Sequence, residues 1–366
     1  MLQHIVICGA GTMGGGIAIS CLTAGLDVTV IDTTDAALDR LRARVAAYLA
    51  RQVDKGRITA LSAAQQTARL TQSRDLAVVS KADLLIEAVF EEIDVKRTLF
   101  RNLAAHLSEK TLVATNTSAL RVADLATALP DPTRFLGLHY FSPAEVNPLV
   151  EVVSGPLTSA FAVKQALAFV AATGKTALKC SDSPGFAVNR FFCPYTNEAV
   201  RILQDGLAEA GSIDAVACES LGLALGPFAV MNIIKPRINL HAVGNLAVLG
   251  DFYKPARLLR DVGEADSNWQ IAAPAAVSAD LKEQIADRLR ASLFLPVLEA
   301  LGEGVAGPDD FDLGARLALR FGQGPVAQMR SLGSAKTRAL VEQLCSRHGS
   351  AFPEIGFDRV FNTIGR

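Results

Sequence analysis

Two ionisable residues interrupt apolar runs in the stretch Arg134–Val153, RFLGLHYFSPAEVNPLVEVV. His139 follows Phe135–Leu138, and Glu151 sits within Leu149–Val153, with a proline-containing turn between the runs. A carboxylate flanked by Val150, Val152 and Val153 on an expected strand is costly to bury unless something pairs with it. His139 is the nearest candidate. If the two strands are neighbours, Glu151 accepts a hydrogen bond from one ring nitrogen, fixes the tautomer and leaves the other nitrogen basic. That is a general base with its orienting group. On these residues alone, a satisfied core histidine beside an edge-strand acid is the favoured reading, since catalysis occupies few of a chain's histidines.

The elements that must position this pair begin at the N-terminus. His4–Cys8 (HIVIC) is a short apolar run suited to a strand buried on both faces of a parallel sheet. It leads into Gly9-Ala10-Gly11-Thr12-Met13-Gly14, a helical pattern, and a second apolar strand, Val28–Ile31, that ends at Asp32. In this context GxGxxG predicts a dinucleotide site: Gly9 for the tight turn, Gly11 for approach to a pyrophosphate, Gly14 for helix packing. The helix N-terminus would hold the phosphates, and Asp32 would bind the adenosine ribose and repel a 2'-phosphate. NAD is therefore favoured over NADP. From Ala36 to about Thr71 the pattern is helical, with a turn near Lys55-Gly56, and predicts an arm of two amphipathic helices whose tip carries Lys55 and Arg57. Asp83–Val89 reads as a strand, Glu91–Leu107 as a helix with Lys96 in its first turns, and Leu112–Ala114 as a strand running into Thr115-Asn116-Thr117-Ser118. In an open parallel sheet ligands sit beyond the strands' carboxyl ends. Glu91, Asn116, Ser118 and His139 are then expected at one rim.

Composition narrows the function classes. The chain has 366 residues, half of them apolar and 20% charged, so an ordinary globular protein of two to three domains is expected. A formal net charge of -1 gives no general attraction to nucleic acid or to an anionic membrane. The 6 cysteines are scattered without ligand-like spacing and read as reduced, buried, cytosolic thiols; no metal site is expected. With no cleavable leader pattern and no apolar run of spanning length, a cytoplasmic location is the expectation.

At this point the chain resembles the L-3-hydroxyacyl-CoA dehydrogenase family, over roughly residues 3–260. The family's GxGxMG, EAxxE, NTS, GLHxFxP, LVEV and PGFxxNR appear as GAGTMG, EAVFE (Glu87–Glu91), NTS (Asn116–Ser118), GLHYFSP (Gly137–Pro143), LVEV (Leu149–Val152) and PGFAVNR (Pro184–Arg190). The resemblance implies His139 as catalytic base, Glu151 as its partner, Ser118 near the reacting hydroxyl and nicotinamide, and Asn189 holding substrate. It implies an NAD site of Gly9, Gly11, Thr12, Met13, Gly14, Asp32, Glu91, Lys96, Asn116, Ser118 and Ser142, and a substrate site of Ser118 and Asn189; Lys55 is added to the substrate site from its place at the arm's tip, where it could meet an anionic group, with a solvated charged hairpin as the equal alternative. The implied reaction is NAD-dependent oxidation of a 3-hydroxyacyl-CoA to the 3-ketoacyl-CoA. Two alternatives stand beside it: an unusual or carrier-protein-bound hydroxyacyl group, and a homologue that binds nucleotide or acyl-CoA without turnover. The departures are Ser142, where the family commonly has asparagine, GEADSNW (Gly263–Trp269) in place of a basic glycine-rich stretch, and MNIIKPRINLHAVG after GPF, with Lys235 and Arg237.

The fold class expected is an α/β Rossmann-type N-terminal domain followed by an all-α region built from two repeated helical units. The expected domains are 1–183 with the arm at about 36–71, a first helical domain at 184–280, and a second, degenerate copy at 281–366. A gapless shift of 98 residues pairs Leu203 with Leu301, Gly206 with Gly304, Asp214 with Asp312, Gly226-Pro227 with Gly324-Pro325, and Met231 with Met329. It pairs Val188-Asn189-Arg190 with Ala286-Asp287-Arg288, so the second copy keeps the arginine and loses the asparagine. Single-copy members pack helical domains across a dimer interface, as the resemblance implies. A second copy could cover that face within one chain, and a monomeric pseudo-dimer and a homodimer are both carried forward.

Overall fold

A computed structural model describes residues 2–362 and divides the chain into two units between Asp182 and Ser183. The first is an α/β unit with an eight-stranded sheet in the order β3-β2-β1-β4-β5-β6-β7-β8. The strands are β1 His4–Cys8, β2 Asp27–Ile31, β3 Leu70–Ser73, β4 Leu84–Glu87, β5 Leu112–Thr115, β6 Phe135–Tyr140, β7 Leu149–Ser154 and β8 Thr176–Ser181. All neighbours run parallel except β6 and β7. The central strands read as continuous apolar runs because both faces are covered, and Ile5, Ile7, Val28, Val30, Leu84 and Ile86 are all buried in one core. The helices of this unit are α1 Thr12–Thr23, α2 Asp35–Asp54, α3 Ala60–Ala68, α4 Ile93–Ala104, α5 Val122–Ala126 and α6 Ala160–Ala172.

Three sequence expectations change. Leu70–Ser73, placed at the end of the helical arm, is an edge strand beside β2. Its LTQS sequence has no alternation and no buried residue, so nothing in it separates a short edge strand from the end of α3. The helix expected from Glu91 begins at Ile93, with Glu92 at the N-cap position but no side-chain cap, and leaves Glu91 in the turn after β4. The sheet also gains β8, an edge strand whose alternating burial reflects one covered face.

The second unit is helical, with α7 Val188–Gln204, α8 Ala210–Leu221, α9 Pro227–Ile234, α10 Pro236–Asn245, α11 Arg257–Glu264, α12 Ala279–Glu303, α13 Pro308–Leu319, α14 Pro325–Leu332, α15 Ser334–His348 and α16 Glu354–Phe361. Helices α8 and α9 have the bounds of α13 and α14 displaced by 98 residues. Asp214 accepts the amides of Phe228 and Ala229, and Asp312 accepts those of Val326 and Ala327, each acid holding the start of the following helix. Gly222 and Arg320, also 98 apart, both close their helices in the left-handed region. The GEADSNW departure has a packing role: Trp269 is buried edge-on to Phe228, and Asn232 exchanges two hydrogen bonds with its backbone.

Candidate active site

The turn after β1 is shaped by two backbone approaches. Gly9 has φ +111°, and a Cβ there would overlap the Ala88 carbonyl; a Cβ on Gly14 would overlap the Gly9 carbonyl. Gly11 differs: no atom lies within 4 Å of the place its Cβ would take. The protein's own packing does not demand that glycine, whereas an approaching pyrophosphate does. Gly11 is the N-cap of α1 and supplies no side-chain cap, leaving the amides at Thr12 and Met13 open to an anion. Asp32, at the end of β2, accepts the Ala10 amide at 2.8 Å and the Thr34 amide at 3.3 Å. These contacts fix its carboxylate beside the turn. Order reverses between β1 and β4 in the sheet, so the cradle sits at the switch point where open α/β sheets bind ligands. The residues fit a dinucleotide.

His139 and Glu151 are register partners across the antiparallel β6–β7 pair, and their side chains meet on one face. His139 Nδ1 lies 2.6 Å from Glu151 Oε2, with the histidine 5% exposed and the glutamate fully buried. With Glu151 ionised, Nδ1 carries the donated proton and Nε2 the lone pair. Phe141 packs against the imidazole with ring centroids 4.5 Å apart, and Asn116 Oδ1 accepts the Tyr140 amide, tying the end of β5 to β6.

A second polar cluster joins the ends of β4 and β5. Glu91 Oε1 accepts from the Thr117 hydroxyl at 2.5 Å, the Ser118 amide at 2.7 Å and the Ala119 amide at 3.1 Å, with Ser118 Oγ at 3.3 Å. Burial opposes its ionisation, but the Lys96 ammonium, the Thr117 hydroxyl and the Ser118 amide outweigh that and hold the carboxyl below its ordinary range. Lys96 is 1% exposed, 2.6 Å from Glu87 Oε1 and 3.1 Å from Glu91 Oε2. The fully buried Glu87 also accepts the Val89 amide and the Thr115 hydroxyl. Glu87 carried no role in the sequence reading; its place at the end of an apolar strand marks a buried acid, but nothing local names Lys96 as its partner.

The remaining candidates belong to other elements. Ser142 is exposed in the loop after β6, which is anchored where Arg44 bridges the Thr12 carbonyl and Glu145 and where Ser20 Oγ donates to Ala144 O. Lys55 caps α2 and is exposed at the arm's tip. Asn189 is half-buried in the first turn of α7 in the helical unit, next to Arg190, whose buried guanidinium pairs with Glu303 at 2.5 Å.

Residues 4–183 match the family model of the 3-hydroxyacyl-CoA dehydrogenase NAD binding domain, and residues 185–270 match that of the 3-hydroxyacyl-CoA dehydrogenase C-terminal domain. The chain is 36% identical to the 3-hydroxyadipyl-CoA dehydrogenase of Escherichia coli over 70% of its own length and 54% of that protein, so it spans about half of that relative. It is 39% identical to a probable 3-hydroxyacyl-CoA dehydrogenase of Caenorhabditis elegans over 64% of its length and 77% of that protein. The crystal structure of 3-hydroxybutyryl-CoA dehydrogenase from Escherichia coli K12 superimposes with a TM-score of 0.88 at 26% identity, covering 96% of each chain.

Proposed function

Because the chain belongs to the 3-hydroxyacyl-CoA dehydrogenase family, we propose that it oxidises and reduces 3-hydroxyacyl thioesters with NAD, using His139 as general base. The observation that carries this reading is the 2.6 Å contact between His139 Nδ1 and a fully buried Glu151. Bound NAD supplies a nicotinamide that accepts the carbon-bound hydrogen as hydride. In the same step His139 Nε2 takes the hydroxyl proton, the electron pair of the O–H bond forms the carbonyl, and Glu151 keeps Nδ1 protonated and balances the imidazolium charge. Ser118, held through its amide and hydroxyl by Glu91, is assigned to the substrate oxygen. Gly9, Gly11, Gly14 and Asp32 are assigned to the dinucleotide, with Thr12, Met13, Asn116 and Ser142 beside them. The PGFAVNR motif supports Asn189 as a substrate-holding residue, and the acyl group is taken to be presented by coenzyme A.

The matching bounds of α8 with α13 and α9 with α14 further support two copies of one helical unit in this chain, hence a monomeric pseudo-dimer. The activity is tested with acetoacetyl-CoA and NADH, following loss of the reduced nicotinamide absorbance. His139→Gln is expected to lower turnover by about 10² to 10⁴ with NAD binding retained. An unchanged turnover number would remove His139 from the mechanism, and no consumption by the parent protein despite tight NADH binding would favour a binding role.

A further inference from the structure

The helical unit contains a cavity of about 450 Å³ walled by α7, α12, the end of α15 and the turn at Lys254-Pro255-Ala256. Two of its walls are arginines locked in place. Arg288 donates to Glu198 and Asp205, each at 2.7 Å, and Arg201 donates to Glu198 at 3.3 Å and to the carbonyls of Phe252 and Lys254 at 2.8 Å. A single buried carboxylate, Glu198, is thus shared by two guanidinium groups. Arg347 and Lys254 complete the cationic lining; Arg347 is exposed with no side-chain hydrogen bond or ion pair among the described residues, and Lys254 holds only the exposed Asp251. Lysines and arginines outnumber carboxylates in the lining, which leaves the cavity positive. His348 at its edge titrates below its ordinary value, because burial and the charges of Arg201 and Arg347 oppose its protonation.

The contrast within the same unit is informative. Arg190, 98 residues before Arg288, is 1% exposed, covered by the Tyr253 ring and paired with Glu303 beside Glu299. Packing of these helices therefore does not by itself require an open basic cavity. We propose that this cavity binds a phosphate-bearing small metabolite, the phosphoryl oxygens meeting Arg347 and Lys254. The exposed Arg347 guanidinium beside the Lys254 ammonium suits a tetrahedral oxyanion, with Arg201 and Arg288 holding the wall behind them, and the volume suits a molecule of sugar-phosphate or nucleoside-monophosphate size. None of the residues lining it is among those assigned to catalysis.

The test is calorimetric titration of the full chain, saturated with NAD so that the dinucleotide cradle is filled, with inorganic phosphate and with ribose 5-phosphate. Saturable binding is expected, weakened about tenfold by Arg347→Ala and by Lys254→Ala, with turnover of acetoacetyl-CoA unchanged in both. Both side chains are exposed, so the variants should fold, which thermal unfolding would verify. Absence of saturable binding in the parent chain, or affinity equal to the parent in both variants, would overturn the proposal.

Discussion

At the residue scale, Lys96 departs furthest from what its type suggests. Lysine is ordinarily solvated, yet this one is sealed between Glu87 and Glu91. Replacing it with methionine leaves Glu87 buried without its counter-ion, so Lys96→Met is expected to lose about 3–5 kcal/mol. Replacing Glu87 as well should recover most of that loss, because the isolated buried charge, rather than the missing pair, carries the cost. Urea unfolding of the single and double variants reads this; equal losses in both would contradict it. Glu91 adds a pH signature. Its folded carboxyl titrates below the ordinary value, so its contribution is complete above the unfolded pKa of about 4.3 and is lost as pH falls through the lower folded value. In Lys96→Met the chief charge holding Glu91 ionised is gone, and the difference between unfolding midpoints at pH 7 and at pH 3.5 should shrink. A pH dependence identical to the parent would show that the ammonium does not set it.

At the element scale, the turn between β1 and α1 separates a glycine required by the fold from one that the protein's own packing does not require. Gly9→Ala places a methyl against the Ala88 carbonyl at φ +111° and should cost upwards of about 2 kcal/mol. Gly11→Ala meets no protein atom, so its unfolding midpoint should stay within about 0.5 kcal/mol of the parent while NAD affinity falls at least about tenfold. Fluorescence titration with NADH, set beside thermal unfolding, distinguishes the two; parent-like NADH affinity in Gly11→Ala would remove the pyrophosphate from that position. This turn was legible in the sequence because strand, glycine spacing and acid each report a local constraint. The His139–Glu151 contact was legible for a related reason: an acid in a run of valines demands a partner, and an antiparallel neighbour brings one into register. The Glu87–Lys96 pair was not, since nothing local marks a lysine as buried until β4 and α4 fold it back. Nor was β3, whose polar LTQS pairs through its backbone while its side chains stay exposed or half-buried. Sequence patterns report side-chain burial, and an edge strand held by main-chain hydrogen bonds hardly writes one.

At the scale of the whole molecule, contacts within the helical unit support the proposal of two copies related by a two-fold axis within one polypeptide. Arg190 pairs with Glu303, and Arg288 pairs with Asp205. Because 288 and 303 are 190 and 205 displaced by 98, each arginine reaches the acid belonging to the other copy, the reciprocal pattern of an isologous contact. Leu223 forms an antiparallel bridge with Phe321, its own counterpart under the same shift, as expected of two copies that meet at a proposed two-fold axis. Helices α7 and α12, which occupy corresponding places in the two halves, then bury Phe191, Tyr195, Phe294 and Leu298 between and around them. On that proposal the face is occupied by its counterpart on the same chain and is not available to a second molecule. Sedimentation equilibrium at tens of micromolar is therefore expected to return the chain mass of 38.7 kDa without concentration dependence. A species of twice that mass would require an interface on some other surface, and if crosslinking placed α7 and α12 of different chains in contact, the internal two-fold would have to be abandoned.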